Sequence, residues 1–272
     1  MFNKKNKVSF IASDTITGLP TPYPSYKSFP EWFIKSNSKV SKCPFHSIMK
    51  ANQVLGRFKP SSDKSQLQIV KVSTVKNCPG IVDYLKTGYI LPSWCDMTFR
   101  DFNGEMLWQP SVQVPGAHYG LHSDNQFIGM DKDQCPIGSK FHKVASPWYI
   151  KTSPGVSVLI TDPYWNRNKN FTSVSAVVHP DIYPIQLQWF FEFNKKIENN
   201  TEIYDESLQV IKKETPLALI IPFRRDEFNH SLEYLNVEEM EKLKFENANS
   251  SASWFSESLY EKIRRNFNIW YR

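Results

Sequence analysis

Two imidazoles and a carboxylate stand within seven residues in His118-Tyr119-Gly120-Leu121-His122-Ser123-Asp124, and another histidine, His179, follows 57 positions after His122. His122, Asp124 and His179 supply two nitrogen donors and one oxygen donor, a set that holds Fe(II) on one face and leaves three coordination positions open. The competing reading of the same side chains is a group of loop histidines hydrogen-bonded to the backbone. Cys43-x-x-His46 has the spacing of half a zinc site. Its other half would need Cys78, Cys95 or Cys135, which stand singly, and Cys43, Cys78 and Cys135 each precede a proline, as packed thiols at turns do. Asp131 with Asp133, and Asp226 with Glu227, lie in polar stretches and read as solvated loop charges. The sequence has no G-x-S-x-G elbow, no P-loop and no G-x-G-x-x-G. No catalytic or cofactor-binding set is therefore assigned, and Fe(II) on His122, Asp124 and His179 is kept as the metal alternative.

The H-x-D…H set resembles the facial triad of Fe(II), 2-oxoglutarate oxygenases. That resemblance implies a basic residue about ten positions after the distal histidine, to bind the cosubstrate carboxylate. Here residues 188–193 read Gln-Trp-Phe-Phe-Glu-Phe and the first cation is Lys195, so the chain departs from the pattern at that point.

The 272 residues are 40% hydrophobic and 22% charged, which suffices for one sizeable core with smaller pieces beside it. Aromatic residues make up 14%, and such side chains suit the pleated surface of a strand, which weights the expectation toward β structure. No apolar run approaches the roughly 18 residues that a membrane span needs. The basic start, Met1 to Lys7, leads into a stretch too short and too polar for a signal-peptide core. The expectation is a cytoplasmic protein with no membrane segment, four free thiols and unglycosylated sequons at Asn170 and Asn199.

The net charge of +6 is unevenly spread. Up to residue 77 there are thirteen Lys and Arg against three Asp and Glu, a surplus of ten, while the remainder carries twenty against twenty-four. The basic third also holds Tyr23, Tyr26, Phe29, Trp32 and Phe33. Lysines interleaved with aromatics can contact phosphates and stack bases, so residues 1–64 are a candidate nucleic-acid contact. The same aromatics can equally pin an extended arm onto protein.

The elements that would position these residues follow from periodicity. Three prolines in Leu19-Pro20-Thr21-Pro22-Tyr23-Pro24 impose extended geometry on the arm. Near-alternating apolar residues predict a strand over 67–73. Pro79 near the start and Gly88 just past the end bracket a short helix. Residues 89–102 read as a strand turning at Asn103-Gly104 into 105–109. Residues 110–146 read as a long irregular excursion, the kind that carries function. Strands follow at 148–151, 156–160, 171–178, 185–193, 207–212 and 217–223, with a polar loop over 194–206. The chain ends in helices over 237–247 and 253–268, the second striped by Phe255, Leu259, Ile263 and Phe267.

Cys78-Pro79-Gly80, Leu85 to Pro92 with Asp96, Trp148-Tyr149-Ile150-Lys151-Thr152-Ser153-Pro154-Gly155-Val156-Ser157, Asp162-Pro163, and Ile211 to Pro216 leading to Ile221-Pro222-Phe223-Arg224-Arg225 resemble a domain of unknown function in tailed phages and bacteria. The resemblance implies a lineage and, for a phage protein, the host cytoplasm or the virion. It brings no activity.

A second resemblance is to the β-clip fold of dUTP nucleotidohydrolases, over Val156 to Ile160, Val177 to Tyr183 and Lys212 to Ile221. It implies a carboxylate directly after the apolar pair to activate water. His179 stands there instead, with Asp181 two positions on, and the phosphate loop is replaced by Asp162-Pro163-Tyr164. The combined expectation is a mainly β chain: an extended arm over 1–64, a β-sandwich or β-clip-like body over 65–225, and a helical segment over 226–272 packed on that body. Its expected role is non-enzymatic, structural or protein-binding, with self-association among the partners. The enzyme alternatives are an iron oxygenase and a nucleotide hydrolase-like protein.

Overall fold

The structure is a computed structural model, and it describes residues 6–37, 39–40, 72–73, 75–102, 105–121, 129, 141–194, 196–198, 201–203, 208–226 and 228–251. The chain divides into two compact units, Met1–Pro30 with Leu85–Glu227, and Glu31–Tyr84 with Phe228–Arg272.

The first unit is mainly β, as the composition predicts. One five-stranded antiparallel sheet runs β1 (Val8–Ile11), β9 (His142–Thr152), β13 (Ile185–Phe193), β11 (Phe171–Ser173), with β8 (His118–Leu121) also pairing β9. The other runs β12 (Ala176–Val178), β10 (Val156–Thr161), β17 (Pro216–Arg224), β5 (Tyr89–Pro92), β2 (Tyr23–Pro24). A three-stranded sheet sets β6 (Met97–Phe102) between β16 (Gln209–Ile211) and β7 (Glu105–Pro110). A hairpin joins β14 (Lys196–Glu198) to β15 (Thr201–Ile203).

All three larger sheets contribute to one core, which includes Trp189 and Phe191 from β13, Val158 from β10, Leu217 from β17 and Phe99 from β6. Strand periodicity explains this. In β13 the side chains of Leu187, Trp189, Phe191 and Phe193 are buried while Gln188 is exposed, because alternate residues of a strand face opposite sides. Core residues from facing sheets make a sandwich.

Two local features show how the sequence permits these pairings. Pro147 lies inside β9, where a proline would break a ladder; the register with β13 shifts there, between Gln186 and Gln188. The Gln186 side-chain amide then donates to Ser146 O at 2.9 Å and to Gly116 O at 2.8 Å, satisfying groups outside the regular ladder. At Gly88, φ is +73° and a Cβ would stand 2.3 Å from Ile220 O, so both the helix stop and the close approach require glycine.

The second unit holds the short pair β3 (Lys39–Val40) and β4 (Val72–Ser73), with helix α1 (Glu31–Lys35). Helix α2 (Pro79–Lys86) carries the chain across the boundary between the units. Lys76 Nζ donates to Ile34 O and Ser36 O, both at 3.1 Å, and lies 5.5 Å from the centre of the Phe33 ring. A cation at the last carbonyls of α1 is the favourable sign there. Helix α3 (Val237–Ser251) begins with a reciprocal cap: Glu239 N donates to Asn236 Oδ1 at 2.9 Å, and Asn236 N to Glu239 Oε2 at 3.1 Å. Among the described residues, no helix is long and apolar enough to cross a membrane.

Several sequence expectations are corrected. The single strand expected over 89–102 is two, β5 and β6, in different sheets, because residues 93–96 turn between them. The strand expected over 171–178 also splits, β11 joining one sheet and β12 the other. The excursion over 110–146 contains β8 and the first part of β9, which starts at His142, six residues before the expected strand. The expected polar loop over 194–206 contains the β14–β15 hairpin. The helix expected over 253–268, most of the strand over 67–73, and Asn103-Gly104 lie outside the described residues. Phe102 pairs with Glu105 on either side of Asn103-Gly104.

Candidate functional site

The groups with chemical potential meet where β10 begins. Ser153, Pro154 and Gly155 turn the chain into β10, with Val156 N donating to Ser153 O at 3.1 Å and Gly155 at φ +78°. Register sets Ser157 opposite Phe223 on β17 and Val158 opposite Val178 on β12. The residues that end those two neighbours, Arg225 and His179 with Asp181, therefore converge on Ser157 from either side.

Arg225 clamps Asp181 in a bidentate pair, Nη1 to Oδ1 at 2.8 Å and Nη2 to Oδ2 at 2.5 Å. Gly155 N also donates to Asp181 Oδ2 at 2.9 Å, and Arg225 N donates to Gly155 O at 2.9 Å. Arg225 Nη1 further donates to Ser157 Oγ at 2.7 Å, and Ser157 Oγ lies 2.7 Å from His179 Nδ1. A guanidinium only donates. The Ser157 hydroxyl thus accepts from Arg225 while standing within hydrogen-bond reach of His179 Nδ1.

The electrostatics follow from that pairing. Hydrogen bonds from Arg225 hold the Asp181 carboxyl far below the usual carboxylate range, against a smaller opposing effect of burial. The same pair raises Arg225 above its ordinary value. A general base works best with a pKa near the operating pH, so Asp181, fixed as an anion by three donors, is a poor base. Ser157 is fully buried, at 0% exposure. The cluster ties the Ser153–Gly155 turn to the ends of β12 and β17.

Other candidates are placed as follows. His118, on β8, is exposed, with its Nδ1 3.2 Å from Gly116 O, so it takes the backbone-bonded role. His179 is engaged by Ser157, on the other sheet. His122 and Asp124 lie outside the described residues, as do Cys43, His46, Cys135, Asp131, Asp133 and Glu227. Cys95 is buried with Sγ 4.0 Å from Val112 O, and Cys78 is half-buried. Asp226 is exposed and pairs with Arg224 Nε at 3.3 Å. Of the arm aromatics, Tyr23 pairs with Ile90 through β2, and Phe33 is buried in the second unit beneath Lys76.

Asp162, in the segment likened to a phosphate loop, accepts from Ser173 N at 3.1 Å and lies 3.2 Å from Arg167 Nε. Burial pushes its carboxyl up. The Arg167 guanidinium sits 4.0 Å from the centre of the Tyr164 ring. Sequence reasoning missed the convergence of Ser157, Asp181 and Arg225. The available signal was an arginine ending an apolar strand whose partner strand starts at a glycine turn. It also missed Tyr119, whose hydroxyl lies 2.8 Å from Nδ1 of the buried His142.

No family model matches the chain. No curated protein matches it. Among solved structures it is similar to a mutant dUTPase of Staphylococcus bacteriophage 80alpha bound to dUpNHpp, at 10% identity and a TM-score of 0.28, over 56% of this chain and 79% of that one.

Proposed function

We propose that the chain is a non-enzymatic, phage-type protein with a structural or protein-binding role. The observation that supports it is a set of exposed apolar side chains arranged around the Arg225–Asp181 clamp. Val177 on β12 is 50% exposed, Ile182 and Tyr183 in the clamped turn are 71% and 62%, and Phe223 at the end of β17 is 39%. Register puts Val177, Leu159 and Ile221 in one row on one face of the sheet, with Phe223 and Ser157 in the next. Apolar and aromatic anchors on a rigid frame beside a saturated ion pair have the composition of a recognition surface. An enzyme site would instead present a titrating or nucleophilic group, and here Asp181 and Ser157 are both committed to the fold.

Two measurements on the purified full chain test this reading. A nucleotide panel assayed for pyrophosphate release, and iron quantified by mass spectrometry, are expected to give no turnover and no stoichiometric metal. Turnover abolished by Asp181→Ala would overturn the reading in favour of a hydrolase. Iron near one per chain, lost on His122→Ala, would overturn it in favour of the oxygenase.

A further inference from the structure

The edges of the two five-stranded sheets differ in how they are guarded. β2 carries Pro24, which cannot extend a ladder. At β11 the Ser173 N–H is occupied by Asp162 Oδ1. β8 runs on into residues outside the described set. β1 is uncharged, but three of its four residues are half-buried. β12 is the open edge: Ala176 and Val177 are exposed, and among the described residues its backbone makes no hydrogen bond beyond its ladder with β10. Edges are ordinarily protected by charge, proline, a bulge or cover. From Ser173 to His179 there is no Asp, Glu, Lys or Arg, and Pro180 bounds the stretch on one side.

We infer that β12 is where a second copy of this chain adds, antiparallel across a two-fold axis through Val177. This rests on the protein-binding reading above and names its partner. A two-fold axis sets every residue against the same strand of its twin, so a charged edge would oppose itself. Here Val177 meets Val177, Ala176 meets Val178, and Ser175 meets His179, with no like charges opposed. Asp181, two residues past His179, is paired with Arg225, and Asp162 beside Ser173 is paired with Arg167, each within one copy. The two five-stranded sheets become one, and the Val177, Leu159 and Ile221 rows of the copies run on from one another.

Light scattering on the full chain over a concentration series is the test. The mass is expected to rise from one chain toward two. Val177→Lys sets two ammonium groups face to face across the axis and is expected to return the mass to one chain while the far-ultraviolet dichroism stays that of the folded chain, since the side chain is 50% exposed within one copy. Facing residues of an antiparallel pair have Cα atoms about 4.5–5.5 Å apart, within disulfide reach. Oxidised Val177→Cys should therefore run as a covalent dimer, while Leu107→Cys and the wild type with its own four cysteines do not. A one-chain mass at every concentration overturns the inference. A dimer that survives Val177→Lys and does not cross-link at 177 also overturns it, and leaves the protein-binding reading on another surface. That reading fails separately, on turnover or bound iron, which the mass does not report.

Discussion

Ser173→Ala is the sharpest probe of how the sandwich is held together. Ser173 is buried on β11, and its hydroxyl is a polar link between the sheets: it accepts from Trp189 Nε1 at 2.9 Å and donates to Leu217 O at 2.5 Å. Leu217 falls where the register between β17 and β5 shifts, between Pro216 and Ala218. Trp189 and Leu217 are both wholly buried, so water cannot replace the lost partner. Each buried polar group left unsatisfied costs about 1–3 kcal/mol, so removing one oxygen that serves two is expected to cost about 2–4 kcal/mol. Urea unfolding followed by far-ultraviolet dichroism should show the midpoint falling by about 1 M or more. In a Trp189→Phe background the indole donor is already absent, and the cost of Ser173→Ala should shrink by about 1 kcal/mol or more. The packing lost with Trp189, which stacks on Phe191 at 3.6 Å, cancels in that comparison. A cost under about 0.5 kcal/mol, or no coupling between the two sites, would refute the argument that this hydroxyl joins the sheets.

Three further outcomes follow from the ion pairs and caps. Asp181 has a folded pKa below its unfolded value of 3.8, so its contribution is present above that value and lost as pH falls through the folded one. The wild type should lose stability relative to Asp181→Asn as pH is lowered below about 3.8, measured by thermal melts at stepped pH. Asp162 has the opposite sign: burial raises it, so the cost of its charge is absent at low pH and appears as pH rises past the ordinary carboxylate range. Asp162→Asn should therefore gain stability relative to wild type on going from pH 3 to pH 7, by the same melts. Asn236→Ala removes the reciprocal cap of α3 and should weaken the helix by about 1 kcal/mol, read as faster amide exchange at Glu239 and Met240.

What the sequence makes legible is what local periodicity determines. The alternation of residues 185–193 identifies β13 because one face of that strand meets the core. Pro79 and Gly88 identify α2 because both act on the backbone at their own positions. The β14–β15 hairpin and β8 are hidden because strands of three or four residues are too short to display a periodicity. The breaks inside 89–102 and 171–178 are hidden for a different reason. Apolar residues continue across both, and the change of sheet is decided by partners remote in sequence: β16 for β6, β10 for β12.

The candidate site follows the same division. Histidines and aspartates close together in sequence drew the metal reading; of that set His122 and Asp124 lie outside the described residues, and His179 bonds across strands to Ser157. The polar cluster that does form is assembled from residues 157, 179, 181 and 225, distributed over three strand ends. Its logic is visible only once register is known, since Ser157 opposite Phe223 and Val158 opposite Val178 fix where Arg225 and His179 must fall. Asp181, two positions after His179, reaches Gly155 N and the Arg225 guanidinium. A side chain so bound stabilises a turn by remaining charged, whereas activating water would require it to take up a proton. The same bonds tie the turn that leads into the exposed Ile182 and Tyr183 to β10 and β17, which is the anchoring that the proposed recognition surface would use.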